Sequence, residues 1–453
     1  MKSLNFGGFA LGVCAALAML AGCGGGSSLL RPTTAGPSCF DCTRQDIAAL
    51  RMTTAERTHV RPAYGVIYSF QGGDDGASPF AGLLNLEGAL YGTTEQGGGT
   101  GCFASLGCGT VFAITTSGGE SVLHSFGGTG DGASPSADLI NVKGTLYSTT
   151  GSGGGTGCGG DGCGTAFTIT ASGAETVLSR FNGNNGADPR AGFSHTDVTF
   201  YGTTAEGGGS GCYRRRGCGT VYSMAASGKK TVLYRFKGEK DGDGWSPNAG
   251  VVDIQNTLYG TTEFGGAHDC TGVPKKSGCG TVFAVTTSGK ETVLHSFKGG
   301  KTDGEQPYSG LVVLNGTLYG TTEQGGAYSF GSPGGAQCTY SGCGTIFAIT
   351  TSGKVTVLYS FGGYSGDGIS PGATLIAVNG AFYGTTPYGG QYLYGTVFAV
   401  TTSGAETVLH SFGGYSGDGA VPWASLTDVD GTLYGTTTSG GASGKGTVYS
   451  LSP

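Results

Sequence analysis

Charge is scarce in this chain. Only 12% of its 453 residues are Asp, Glu, Lys or Arg, and they leave a net charge of −6. A nucleic-acid binder needs a basic stripe or patch to meet phosphate, and none is present. Histidine is scarcer still, at six residues. His124, His295 and His410 alternate with Tyr234 and Tyr359 at one position of a repeated segment, so they read as structural substitutes, while His59, His195 and His268 are isolated. A Gly-x-Ser-x-Gly elbow, a His-Glu-x-x-His pair and a phosphate-binding Gly-Lys-Ser/Thr loop are all missing. These absences exclude the commonest hydrolase and nucleotide-binding designs, and no cofactor or metal is expected.

What is abundant is glycine, 95 residues, placed at fixed points of an internal repeat. Disorder is the alternative for so glycine-rich a chain. It loses because the glycines separate β-branched and aromatic runs such as Val-Phe-Ala-Ile-Thr and Thr-Val-Leu-His-Ser-Phe. A Gly-Thr element recurs at Gly109, Gly164, Gly219, Gly280, Gly344, Gly395 and Gly446, a period of about 51 to 64 residues. Each period divides into four short strands. In the first, A lies near Ala81 to Leu86, B near Leu90 to Thr94, C near Thr110 to Thr115 and D near Ser121 to Phe126. The last copy ends after its C strand, and an unpaired Val66-Ile67-Tyr68-Ser69-Phe70 at the front supplies the missing D. The expected fold is all-β: a seven-bladed β-propeller of four-stranded blades over residues 64–453, closed by the N-terminal strand joining the last blade.

The first residues form a separate device. Lys2, an apolar stretch from Phe6 to about Leu20, and Leu20-Ala21-Gly22-Cys23 fit a signal peptide of residues 1–22, too short for an ordinary membrane span. The last four residues resemble the lipobox of bacterial lipoproteins. That resemblance implies cleavage before Cys23, lipidation of Cys23 and, since Gly24 rather than Asp follows, an exported protein held at the outer membrane. Residues 23–63 then read as a lipidated cysteine with a flexible leader. Within it Cys39 and Cys42 form a Cys-x-x-Cys of open role.

Ten of the fourteen cysteines form close pairs in the B–C connections: Cys102 and Cys108, Cys158 and Cys163, Cys212 and Cys218, Cys270 and Cys279, Cys338 and Cys343. An exported chain suits disulfides. Zinc is the alternative, but the spacings vary and each pair belongs to a different blade. Blades six and seven have no pair, and their B–C loops are the shortest.

The phrase Leu90-Tyr91-Gly92-Thr93-Thr94, Gly109-Thr110-Val111-Phe112, Val122-Leu123-His124-Ser125-Phe126 resembles the GloVer tandem repeat, a family of bacterial exported proteins with alternative anchoring signals. The resemblance covers about 385 residues and implies a surface or periplasmic repeat protein without an established activity. Ser148 departs from the usual Gly, and Phe200 and Phe382 from the usual Leu.

Strand order places all long loops, all cysteine pairs and every Asp-Gly-x-x-Pro on the face carrying the B–C and D–A connections, which makes that face the candidate site. The acidic or amide residue before Gly (Asp75, Asp131, Asn185, Asp243, Asp303, Asp367, Asp418) reads as an Asx-Gly turn rather than a calcium loop. Tyr388, Tyr392, Tyr394, Tyr415 and Trp423 decorate blades six and seven, and Tyr328, Phe330, Tyr340 and Tyr364 extend the aromatic sector. Such flat aromatic faces suit sugar rings or a protein partner. Arg214-Arg215-Arg216 and Lys275-Lys276 decorate blades three and four. The expected function is an outer-membrane or surface lipoprotein whose propeller, a monomer, binds a glycan or protein partner. The alternative is a propeller enzyme acting on extracellular glycans through two of Glu95, Glu206, Glu263 and Glu323.

Overall fold

A computed structural model describes residues 62–453 apart from 103–105, 128–129, 197, 210, 213–215, 239–241, 271–276, 330, 333–337 and 339–340. Residues 1–22, expected as a signal peptide, and Cys23, Cys39, Cys42, Arg214, Arg215, Lys275, Lys276, Phe330 and Tyr340 lie outside the described residues.

Seven antiparallel sheets are arranged as blades, each with strands in the order A-B-C-D. In blade one these are Leu84–Leu86, Ala89–Thr94, Gly107–Thr115 and Glu120–Ser125. Strands A of neighbouring blades approach one another, so A is innermost and D outermost. Blade seven takes A, B and C from Thr427–Val429, Thr432–Thr437 and Thr447–Ser452, and its D strand is Ala63–Ser69. Ala63 stands opposite Ser452 and Ser69 opposite Thr447, which closes the ring as the strand count requires.

The repeated phrase is explained by what each residue does between blades. The aromatic residue of every C strand (Phe112, Phe167, Tyr222, Phe283, Phe347, Phe398, Tyr449) is wholly buried. Each packs edge-on against the Phe that ends the D strand of the preceding blade, with centroids 5.0–5.3 Å apart. Such a pair contributes about 1 kcal/mol beyond the area it buries, so seven of them make the ring one cooperative unit. The Gly of Leu-Tyr-Gly-Thr-Thr is where this ring lies: a Cβ on Gly92 would come within 2.5 Å of Phe112. Blade two carries Ser148 there instead, and its buried hydroxyl donates to the carbonyls of Ala137 and Asp138, both at 3.1 Å.

The threonines are equally committed. The second Thr of each phrase shares a hydrogen bond of 2.8 or 2.9 Å with the Thr of Gly-Thr across strands B and C, as in Thr94 with Thr110. The first Thr reaches to the next blade, as Thr203 does to the Ala249 carbonyl and Thr385 to that of Ala424. Buried hydroxyls are thereby satisfied while stitching blades together, except in blade one, where the buried Thr93 hydroxyl has no partner.

Candidate functional site: the axial mouth

Five disulfides join the five cysteine pairs. They support the loop that leaves strand D of the same blade. A Cβ on Gly362 would meet the sulfurs of Cys343 and Cys338, and one on Gly299 would meet Cys270. In blade six, Tyr394 and Tyr392 lie against Gly413 and Gly414, and in blade seven Lys445 lies along Gly72. Tyr392 and Tyr394 therefore serve as loop covers, each with one part in solvent.

The acidic residues before Gly are engaged by their own loops. Asp243 accepts from the Tyr234 hydroxyl and from the N–H groups of Lys237 and Gly244 at 2.7–2.8 Å. Asp367 does the same with Tyr359, Gly362, Gly363 and Gly368, and Asp131 with His124, Gly127 and Gly132. Blade two departs as a set: Asn185, in the loop leaving its D strand, exchanges hydrogen bonds with Asn182, and Ser179 stands where other D strands have His or Tyr. His124, Asp131 and Glu175 bring their ligand atoms within 4.8 Å of one another. Tyr68 with Asp75 and Tyr359 with Asp367 make the equivalent contact beside Glu120 and Glu406, and tyrosine there supplies no imidazole ligand. The His cluster is accordingly a blade-interface contact.

The axis of the ring on the B–C and D–A face opens into a cavity of about 810 Å³. Its mouth is built from one repeat position, the residue following the Pro of Asp-Gly-x-x-Pro. The residue before that Pro holds a positive φ in all seven copies: Ser78, Ser134, Asp188, Ser246, Gln306, Ser370 and Val421, with φ 53° to 60°. Its N–H and C=O are bonded to neighbouring strands, as Ser134 is to Cys108 and Gly151. This clamp aims the next side chain into the axis. The seven residues so placed are Phe80, Ser136, Arg190, Asn248, Tyr308, Gly372 and Trp423, all of them lining the cavity and all different. Two residues further on, a deeper ring comprises Gly82, Asp138, Gly192, Gly250, Gly310, Thr374 and Ser425. Asp138, enclosed by protein although water reaches it along the axis, has its carboxyl pushed up by that enclosure, and it accepts from the Gly82 N–H at 2.6 Å.

Sequence reasoning missed this ring, because it sought what recurs. The signal was the reverse, a position that varies completely inside a phrase that hardly varies. Of the sequence-predicted aromatics, Trp423 belongs to the ring, and Tyr388 packs edge-on against it at 6.2 Å. Phe80 stacks on Trp423 at 5.8 Å and Tyr308 leans toward it at 6.1 Å. Tyr415 is exposed, and Tyr364 donates to Glu406 on the outer rim.

Four glutamates surround the mouth. Glu95, Glu263 and Glu323 directly follow the Thr-Thr of blades one, four and five, whereas Glu206 comes one residue later, after Ala205. Burial raises all four carboxyls, Glu263 to about 7 and Glu323 to about 8, the latter helped by the nearby Glu263. Arg190 is held by Asp188 at 2.8 Å, and its other amino group reaches to the Tyr308 hydroxyl at 3.4 Å. Burial works against the charge of Arg190, and Asp188 and Tyr308 more than offset it.

The family model of the Gloeobacter/Verrucomicrobia repeat matches three times, over residues 51–211, 157–334 and 276–453. The chain belongs to the Gloeobacter/Verrucomicrobia repeat family. No curated protein matches it. Among solved structures, this family member is similar to a luciferin-regenerating enzyme, at 12% identity over 86% of this chain and 95% of that one, with a TM-score of 0.38. It is also similar to PorZ, a bacterial surface component of the type-IX secretion system of Porphyromonas gingivalis, at 12% identity, 85% and 47% coverage and a TM-score of 0.45. A putative gluconolactonase is similar at 11% identity, 64% and 80% coverage and a TM-score of 0.36. Overlaps this loose carry no argument about the activity of a Gloeobacter/Verrucomicrobia repeat protein.

Proposed function

We propose that this protein is a binding propeller that takes a glycan at its axial mouth and is held at the outer membrane by lipid on Cys23. The observation that carries the reading is the ring of seven different residues at one repeat position. Its immediate neighbours, the Pro before it and the small Ala or Ser after it, are held by packing, and this position is free to diversify, which is what a recognition surface on a rigid scaffold requires. The ring's content fits sugar: Trp423, Phe80 and Tyr308 offer apolar faces for a pyranose, and Arg190, Asn248 and Ser136 offer hydrogen-bonding groups beside them.

A glycan array with the folded propeller tests the reading, followed by titration of any hit against Trp423→Ala and Arg190→Ala. Loss of about 2 kcal/mol, roughly thirtyfold in affinity, is expected for Trp423→Ala. A hit that ignores both changes and is lost on altering the A–B turns of the opposite face overturns it. The second reading, a glycan-cleaving enzyme, is favoured by Glu263 and Glu323, two neighbouring carboxyls that burial raises toward neutrality. Product analysis of each array hit separates the two. For the anchor, radiolabelled palmitate incorporated in the wild type and lost in Cys23→Ala is the expected result.

A further inference from the structure

The mouth is unevenly furnished. Gly372 is the one ring position without a side chain, and Trp423 of the next blade leans across it. A Cβ at Gly372 would lie 2.6 Å from the Trp423 ring and 3.3 Å from Glu323 Oε1, so indole and carboxylate are neighbours over this glycine. Phe80, Tyr308 and Tyr388 surround the same indole at 5.8–6.2 Å. Four aromatic rings and a carboxylate therefore converge on one sector. Behind them lies Glu263, which accepts from Asn248 Nδ2 at 2.7 Å and from Ser246 Oγ at 3.5 Å. Asn248 is only 6% exposed and lines the cavity, yet its Oδ1 has no donor. Among the described residues, the cation near this sector is Arg190, which is already matched by Asp188.

We propose that this sector is a subsite for an ammonium group, so that the glycan bound at the mouth is an amino sugar with a free amine. The subsite rests on the glycan-binding reading and gives it a substrate class. An ammonium offers three donors and no acceptor, which suits two carboxylates and an orphaned amide oxygen, and a cation is drawn to the faces of aromatic rings. An acetylated amine keeps the sugar skeleton but loses the charge and two donors. Binding of the amine also draws protons off Glu263 and Glu323, whose carboxyls burial holds near neutrality.

The test is calorimetric titration of the propeller with a glucosamine tetramer and with its fully N-acetylated counterpart, in buffers of different ionisation enthalpy. At pH 6, where the amine is mostly ammonium and the two carboxyls mostly protonated before binding, the free amine form is expected to bind at least about tenfold tighter and to release protons. Glu263→Gln with Glu323→Gln keeps the shape of the pocket and is expected to abolish both the preference and the proton release. Equal or tighter binding of the acetylated form by the wild type, with both forms lost in Trp423→Ala, overturns the ammonium subsite and leaves the glycan reading standing. Binding of neither tetramer overturns the subsite, while array hits decide the broader reading separately. Saturable calcium binding that the two Gln substitutions abolish and the free amine tetramer does not displace would make the carboxylates a metal site and overturn the proposal.

Discussion

Blades one to five and blades six and seven solve one problem in two ways. In all seven the B and C strands are tied by a Thr–Thr hydrogen bond, but the two threonines are 15 to 23 residues apart in blades one to five and 10 apart in blades six and seven. The long B–C loops carry a disulfide, and the short ones carry Tyr394 or Lys445 at the place of the second cysteine. The backbone bond made by that residue is the same in either case: Ser370 donates to the Cys343 carbonyl, Val421 to that of Tyr394, and Ser78 to that of Lys445. The covalent link is thus a loop device added to a scaffold that does without it. Its worth scales with the chain it has to restrain.

The largest effect is expected where the ring depends on pairing alone. Deleting residues 63–69 removes the D strand of blade seven, a blade without a disulfide, and leaves a long unpaired edge on Thr447–Ser452. Cooperative thermal unfolding followed by circular dichroism should be lost, and an unchanged transition would mean that the disulfide-bearing blades hold the ring unaided. Next comes the staple itself. Replacing Cys338 and Cys343 by Ala should cost about 2 kcal/mol and expose the blade-five loop to protease, whereas Tyr394→Ala in blade six should cost about 1 kcal/mol, since half of that ring is already in solvent. Equal losses would show that disulfide and tyrosine are equivalent covers.

A smaller, graded effect follows from the outer rim. Glu120, Glu291 and Glu406 sit against the preceding blade's Asp, and burial first, then Asp75, Asp243 and Asp367 respectively, holds each of them up at about 7. Because these carboxyls bind protons more tightly folded than unfolded, the stability they contribute is full below about pH 4.5 and is lost as pH rises through about 7. Apparent melting temperature should therefore fall between pH 5 and pH 8, and Glu291→Gln should flatten the slope. At the interface between blades six and seven Tyr64 occupies the place of the Glu, donating to Asp418 at 2.6 Å and stacking on His410 at 3.6 Å, so Tyr64→Phe should leave that slope intact. Smallest is the removal of an orphaned hydroxyl. Tyr222 and Tyr449 replace the Phe of the other C strands and their buried hydroxyls have no partner. Tyr222→Phe in a disulfide-bearing blade and Tyr449→Phe in a disulfide-free one should each stabilise by about 1 kcal/mol. Unequal gains in chemical denaturation would show that the two sectors differ in their cores as well as in their loops.

The fold was legible because its signals are periodic: four strands, a turn after each, and a D strand out of place. The purpose of the repeated residues was less so. Gly92 reads only as a member of strand B but is glycine because Phe112 crosses it, and Asp131 reads as a turn residue but also receives His124 from its own blade. The mouth was legible only in part. Trp423 was visible as an unusual residue, yet Arg190, Asn248 and Gly372 look ordinary until the chain is folded and one repeat position becomes a ring. Glu305 gave no sign at all: it occupies a position held by Ala, Trp or Ile in other blades, is wholly buried, and neither carboxylate oxygen has a partner.

The pairing of Ala63 with Ser452 puts both ends of the propeller on one rung of one blade. A ring of near-identical units has no privileged starting point, so a short linker across that rung would let the chain be cut at another turn, for example at Ser117-Gly118 between strands C and D of blade one. The seven residues at the mouth would keep their cyclic order under any such relocation. The recognition proposed for this mouth is therefore a property of the circle and is independent of where along it the polypeptide begins.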